Sequence, residues 1–457
     1  MDLLIRGGTV VDETTARRAD VLIGDGRITR VDEDLAAPPG ARVIDARGRL
    51  VLPGVIDVHT HYGVKSAAGE VSADDFYHGS VSAACGGVTT VIDYAEPRPG
   101  QPLVEAARRR RWQAETDIAI DFSLHMTIPW FSGAQASELG DLLTHGISSY
   151  KVFTTYEGLR IEEEDLRVLM QHAGELGILV AAHAEDDQVL RTAQARLRGR
   201  GLVAPRYHAE SRPVTAEVEA IERLTRLAAE SACPVYFVHV SSGRGCKAIA
   251  RAREEGARVQ GETCPHYLCL TEEAYKSSEA QKYIMSPPLR REEDNHALWE
   301  GLSSGTLQVV ASDHCAYSWN HKQSAETCFD TLAGIPGSET LLPLLYSEGV
   351  VKGRITLNQL VSVLASNPAR IFGLYPHKGV LAPGSDGDVV ILDPEKEMVI
   401  ADHSLHSAAG YTPFEGWKVK GYPVATILRG EIIHENGRFT GSRGGGRFVR
   451  AGLGTGF

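Results

Sequence analysis

Between residues 54 and 315 the chain alternates short apolar runs with helical stretches. The apolar runs number eight: 54–61, 88–94, 118–127, 148–155, 177–186, 234–242, 258–268 and 307–315. Eight parallel strands with intervening helices close a β/α barrel. Helical patterns at Glu162 to Gly174, Thr215 to Ser231 and Gly245 to Glu255 fall where such crossovers belong. The fold class expected is therefore α/β, a (β/α)8 barrel. Its catalytic groups should lie at the C-terminal ends of the strands.

The ends of the chain read differently. Leu3 to Gly8, Asp20 to Gly26 and Ala41 to Asp45 are short strand-like stretches separated by turns, and similar stretches return at Asp388 to Leu392, Pro423 to Leu428 and Glu431 to Ile433. The expected organisation is a β-sandwich built from residues 1–52 and 376–440, a barrel over 53–375, and a tail from 441 to 457. That tail, with three consecutive glycines and Arg443, Arg447 and Arg450, is expected to pack on a neighbouring subunit.

The strand ends carry chemistry. In Val58-His59-Thr60-His61 the two-residue period of a strand aims both imidazoles at one face. Lys151 lies on the fourth strand, His183 and His239 end the fifth and sixth, and Asp313 ends the eighth. All six should meet at one rim. Each sits in a mostly apolar run, where burial without a partner is costly, so a metal centre explains them better than a satisfied core. A protonated Lys151 would repel divalent ions there, but a buried lysine loses its proton readily. The neutral amine can capture carbon dioxide as a carbamate, an anion with two oxygens able to bridge two metals. Two dications, offset by carbamate, Asp313 and a hydroxide, retain about one positive charge and hence Lewis acidity.

These residues lie in longer stretches, Pro53 to His61, Ala73 to Phe76, Tyr150 to Phe153, His183 to Glu185, Val238 to Ser241, Gly261 to Pro265, Ser286 to Arg290, Ser312 to Cys315 and Phe414 to Trp417. Through them the whole chain resembles the cyclic amidohydrolases of the dihydropyrimidinase and D-hydantoinase group. The resemblance implies a binuclear centre, with zinc the expected metal. His59, His61 and Asp313 would hold one ion and His183 and His239 the other, bridged by carboxylated Lys151. It implies a hydrolase that opens 5,6-dihydropyrimidine or 5-substituted hydantoin rings to N-carbamoyl amino acids. An activated water attacks the ring carbonyl while Asp313 shuttles the proton to the departing nitrogen. Tyr156 would hydrogen-bond the developing oxyanion, and Ser286 and the Gly337 carbonyl would grip the ureide edge. Tyr62, Val64, Phe153 and Leu159, with the loop 62–69, would wall the pocket for the ring substituent.

Two features qualify the substrate. His266 resembles the pattern of allantoinases and dihydroorotases, and an allantoinase, whose substrate is also a hydantoin ring, is the alternative. Dihydroorotases place an arginine two residues after the second histidine, where this chain has Gly63, so that reading falls. A non-catalytic scaffold relative would have no use for Lys151, His183, His239 and Asp313. A net charge of −12 argues against nucleic-acid partners, and Arg108 to Arg111 reads as a solvated helix face. No run is long enough for a membrane span. Seven cysteines without a C-x-x-C pair suit reduced thiols. Residues 1–6 run into folded-looking sequence without signal-peptide regions, so the expected compartment is the cytoplasm. The family's homotetramers set the expected assembly.

Overall fold

The computed structural model describes residues 2–66 and 69–456. Five strands come first: β1 (Leu3–Val11), β2 (Ala16–Gly24), β3 (Arg27–Asp32), β4 (Arg42–Asp45) and β5 (Leu50–Pro53). Eight follow as β6 (Val55–Thr60), β7 (Val88–Ala95), β8 (Asp121–Thr127), β9 (Ser149–Phe153), β10 (Leu179–His183), β11 (Val235–Phe237), β12 (Val259–Thr263) and β13 (Val309–Val310). The last four are β14 (Val389–Val399), β15 (Lys418–Leu428), β16 (Glu431–Glu435) and β17 (Arg438–Phe439).

Strands β6 to β13 pair in chain order, every pair parallel. They occupy the eight expected runs, all shortened except β7, which extends one residue beyond its run to Ala95. Every residue of β6 through β13 is buried, as a parallel sheet covered on both faces requires. Ile56, Val58, Ile92, Ala181, Tyr236 and Val309 pack in the barrel lumen, while Val55, Val91, Phe122 and Val180 face the helices. The expected helices are Glu163–Leu176, Val214–Ser231 and Gly243–Glu254. The first carries Glu163, Glu164 and Asp165 in its opening turn and stops at Gly177, whose φ of 69° is the left-handed conformation glycine supplies cheaply.

The ring closes at a seam. No ladder joins β13 to β6, but Thr60 bridges His314, His61 N–H donates to the His314 carbonyl at 2.8 Å, and His314 N–H to that of His59 at 3.3 Å.

The two chain ends form one sheet in the order β17-β16-β15-β14-β5-β1-β2-β3, with β4 beside β1. β5 is the joint, parallel to β1 and antiparallel to β14. At the base of the barrel Lys378 Nζ lies 2.6 Å from Asp121, 2.6 Å from Asp388 and 3.0 Å from Asp386, tying sheet to barrel.

The C-terminal tail lies along that base on its own chain. Phe448 pairs with Phe122, Val449 N–H donates to Phe122 O at 2.7 Å, and Ala451 N–H donates to Gly146 O at 2.9 Å. A Cβ at Gly446 would stand 1.9 Å from Ile120 O, so only glycine permits this approach. The tail contacts described run within the chain.

Candidate metal centre

Five barrel strands deliver the six metal-ligand candidates to one rim. His59 and His61 flank the end of β6, Lys151 is the third residue of β9, His183 ends β10, and His239 and Asp313 follow β11 and β13 within a few residues. His59 Nε2 and His61 Nε2 face the same oxygen of Asp313, at 3.2 and 3.5 Å. Beside them His183 Nδ1 lies 2.9 Å from His239 Nε2, and the His59 and His239 rings are 5.4 Å apart. Lys151 Nζ lies 4.9 Å from the Phe153 ring and 5.3 Å from the Tyr94 ring. Ligand atoms sharing one ion at bond lengths of about 2.0–2.1 Å sit roughly 3 Å apart, so these spacings suit shared cations.

The protonation states fit as well. Burial drives the pKa of His59, His183 and His239 down, which keeps their nitrogens neutral and able to ligate. Buried carboxylates behind the rings choose which nitrogen faces the rim. Glu262 Oε1 takes His59 Nδ1 at 2.5 Å, and Glu185 Oε2 takes His183 Nε2 at 2.8 Å. Glu262 also accepts from Tyr236 Oη at 2.8 Å and from His239 N–H at 3.0 Å, while Glu185 is paired with buried Arg212. Burial lowers the Lys151 pKa to about 8, partly countered by Glu262 and Asp313, so some free amine exists near neutral pH.

Backbone strain gathers here. His239, Asp313 and Tyr156 have φ of 41°, 49° and 79°, the left-handed region that side chains avoid at a cost of roughly 1–3 kcal/mol each. Such turns re-aim a side chain inward just past a strand. Asp57 anchors one of them by accepting from Ser312 N–H at 3.0 Å and from Ser312 and Ser338 hydroxyls.

Tyr156 and Ser286 line one cavity of about 350 Å3 with Arg212 and His208. Tyr156 Oη accepts from Arg212 at 3.0 Å, and its ring lies 5.0 Å from that of His183. Burial raises the phenol to about 12, leaving an O–H donor. Gly337 sits across the rim, near the seam. Its N–H donates to His314 Nδ1 at 3.2 Å, and its carbonyl already accepts from Thr340 N–H and Oγ1 at 3.2 and 3.1 Å. Of the expected pocket wall, Tyr62 is fully buried, packed on Phe76 and His314 with its hydroxyl on Ser338, so it supports the rim from behind. Ala67 and Ala68 of that loop lie outside the described residues. His266 is buried, and its pKa falls to about 4.

The arginine run is not a solvated face throughout. Arg110 pairs with Asp93 and the Tyr62 carbonyl, and Arg109 bonds Glu96 O, beside a cavity of about 370 Å3 that reaches His61 and Tyr94. Glu185, Glu262 and Arg212 also carried no expected role. A signal existed for Glu185, which lies two residues after His183 and so on the same side of an extended chain. Arg212 comes from a distant loop and has no local signature.

Comparison with known proteins decides the lineage. The profile of the amidohydrolase family matches residues 50–433. The chain belongs to the amidohydrolase family. It is 40% identical over 454 residues to D-phenylhydantoinase of Escherichia coli O1:K1 / APEC, covering 98% of each chain. It superposes on the dihydropyrimidinase from Brevibacillus agri NCHU1002 with a TM-score of 0.97 at 37% identity, covering 100% of both. For the L-hydantoinase (dihydropyrimidinase) from Arthrobacter aurescens the values are 0.90 and 30%, covering 98% of this chain and 99% of that one. Membership in this amidohydrolase family implies a binuclear metal site, and at the rim His59, His61 and Asp313 form a group that could hold an ion.

Proposed function

We propose that this amidohydrolase opens the ring amide of 5-substituted hydantoins or 5,6-dihydropyrimidines, yielding N-carbamoyl amino acids. The observation that carries the reading is the rim of four imidazoles, Asp313 and a buried lysine, in a chain 40% identical along its length to a D-phenylhydantoinase. His59, His61 and Asp313 would hold one divalent ion, and His183 and His239 the other, with Lys151 shared. Zinc is the proposed metal, which imidazole and carboxylate donors suit. Lys151 would join through carbamate formation, in which the neutral amine bonds the carbon of carbon dioxide and releases a proton. When bound, the cations supply an activated water and polarise the ring carbonyl.

The chain's own groups do the rest. Asp313 receives the proton of the attacking water and returns it to the ring nitrogen as the carbon–nitrogen bond breaks. Tyr156, its oxygen fixed by Arg212, turns its O–H toward the carbonyl oxygen as negative charge develops there. Ser286 and the backbone at Gly337 would orient the ureide edge from either side. Because Thr340 occupies the Gly337 carbonyl, its grip on substrate would replace the Thr340 hydroxyl bond. Assembly is proposed as a cytoplasmic homotetramer acting in pyrimidine or hydantoin catabolism, and light scattering on the purified protein checks the oligomer.

The test is the hydrolysis rate of metal-analysed protein on dihydrouracil, hydantoin, both enantiomers of 5-phenylhydantoin, allantoin and dihydroorotate. Turnover of the dihydrouracil and hydantoin substrates by protein holding two ions per chain is expected. Preference for allantoin, or silence on those rings at full metal content, overturns the proposal.

A further inference from the structure

We propose that Cys85, Glu339 and His406 form a third cation site, separate from the catalytic rim and suited to zinc or another borderline divalent ion. Each offers one ligand atom, and these atoms all lie within 4.8 Å of one another. The three come from separate parts of the chain. Cys85 ends the helix Phe76–Cys85, Glu339 lies in the turn Ser338–Thr340, and His406 sits between β14 and β15.

Charge is the second observation. Glu339 is buried, yet its described partners are the Ser82 hydroxyl at 3.3 Å, the Tyr422 hydroxyl at 3.5 Å, and the N–H and Nδ1 of His406 at 2.8 and 2.9 Å. No lysine or arginine is among them. A buried carboxylate needs a cation, and the one cationisable side chain among these partners is His406. The acidic cluster Asp121, Asp386 and Asp388 makes the contrast, since Lys378 already sits among its oxygens.

A dication would replace the His406 proton and that of the Cys85 thiol, giving thiolate, carboxylate and neutral imidazole with a net charge of zero. This mixed sulfur, nitrogen and oxygen set selects zinc-like ions over magnesium or calcium. With three protein ligands the fourth position is left for water. His406, 30% exposed at its side chain, provides the entry.

The place of the site gives it a task. Ser338, next to Glu339, bonds Asp57, the carboxylate that anchors Ser312 beside Asp313. Ser407 and Ala408, next to His406, bond Asp74, which holds His314 at 3.0 Å on the other side of Asp313. An ion held here would pin both segments that flank the Asp313 turn without touching substrate.

The six rim candidates contain no sulfur, so cobalt distinguishes the two sites. Full-length protein saturated with Co2+ is expected to show a thiolate-to-cobalt charge-transfer band, and to hold one more cobalt per chain than Cys85→Ser. The half-buried His406→Ala should lose the same band and the same ion. The cobalt count of Cys85→Ser, expected at two per chain, reports the catalytic pair independently. A wild-type protein without the band at saturation, or a band that survives Cys85→Ser or His406→Ala, overturns the proposal.

Discussion

The barrel buries polar groups at both ends, and the two ends solve that problem in opposite ways. At the base, Lys378 has a carboxylate oxygen within 3.0 Å from each of Asp121, Asp386 and Asp388, and their charges lift its pKa above the usual lysine range. At the rim, imidazoles are pushed toward neutrality and crowd their nitrogens around Asp313 and one another, on turns held at positive φ. A cluster whose carboxylates each already hold a cationic partner is a joint between domains. One that keeps lone pairs convergent and pays in backbone strain is built for an incoming cation. Burial alone does not separate the two cases; whether the charged groups already have cationic partners does.

Four expected outcomes sharpen or break this contrast. Asp313→Asn should cost about 10²–10⁴-fold in kcat/KM, the range for a lost general base, with the thermal midpoint little changed. A large loss of stability with activity intact would erase the distinction. Lys378→Met should do the reverse, costing roughly 3–5 kcal/mol because it leaves buried carboxylates uncompensated. Urea unfolding and hydantoin turnover on the same preparation measure both effects. Tyr156→Phe removes one donor and should lower kcat by roughly 10²-fold without moving the unfolding midpoint.

The smallest effect is one of pH. His125 and His208 are buried and neutral, their pKa pushed down to about 3 by burial. The unfolded chain binds these protons near pH 6.5 while the folded one refuses them, so stability is full above about 6.5 and declines as pH falls toward 3. Urea midpoints across that interval should fall with pH, and His208→Gln should flatten the slope.

Legibility followed how local each determinant is. The barrel strands could be read because parallel strands covered on both faces are continuous apolar runs, and the rim because five of the six ligand candidates lie at or near the end of such a run, Lys151 alone sitting mid-strand. The role of Glu262 was missed because a carboxylate in a strand resembles any other polar residue until its partner across the barrel is known, whereas Glu185, two residues after His183, left a local signal. Arg110 was misplaced for a related reason, since four consecutive arginines point around a whole helix, and the one turned inward pairs with Asp93 from the neighbouring strand. Tyr62 immediately follows His61 and so points the other way, which the alternation of an extended chain already implied.

The seam between β13 and β6 sets an order of events. His59 and His61 come from the first strand of the ring and Asp313 from just past the last, so one half of the centre exists only after some 250 residues of intervening chain have folded back on themselves. A nascent chain that has emerged only as far as the seventh strand holds both histidines but not the aspartate that faces them. The three side chains of that half therefore come together only in a finished barrel and in no shorter intermediate.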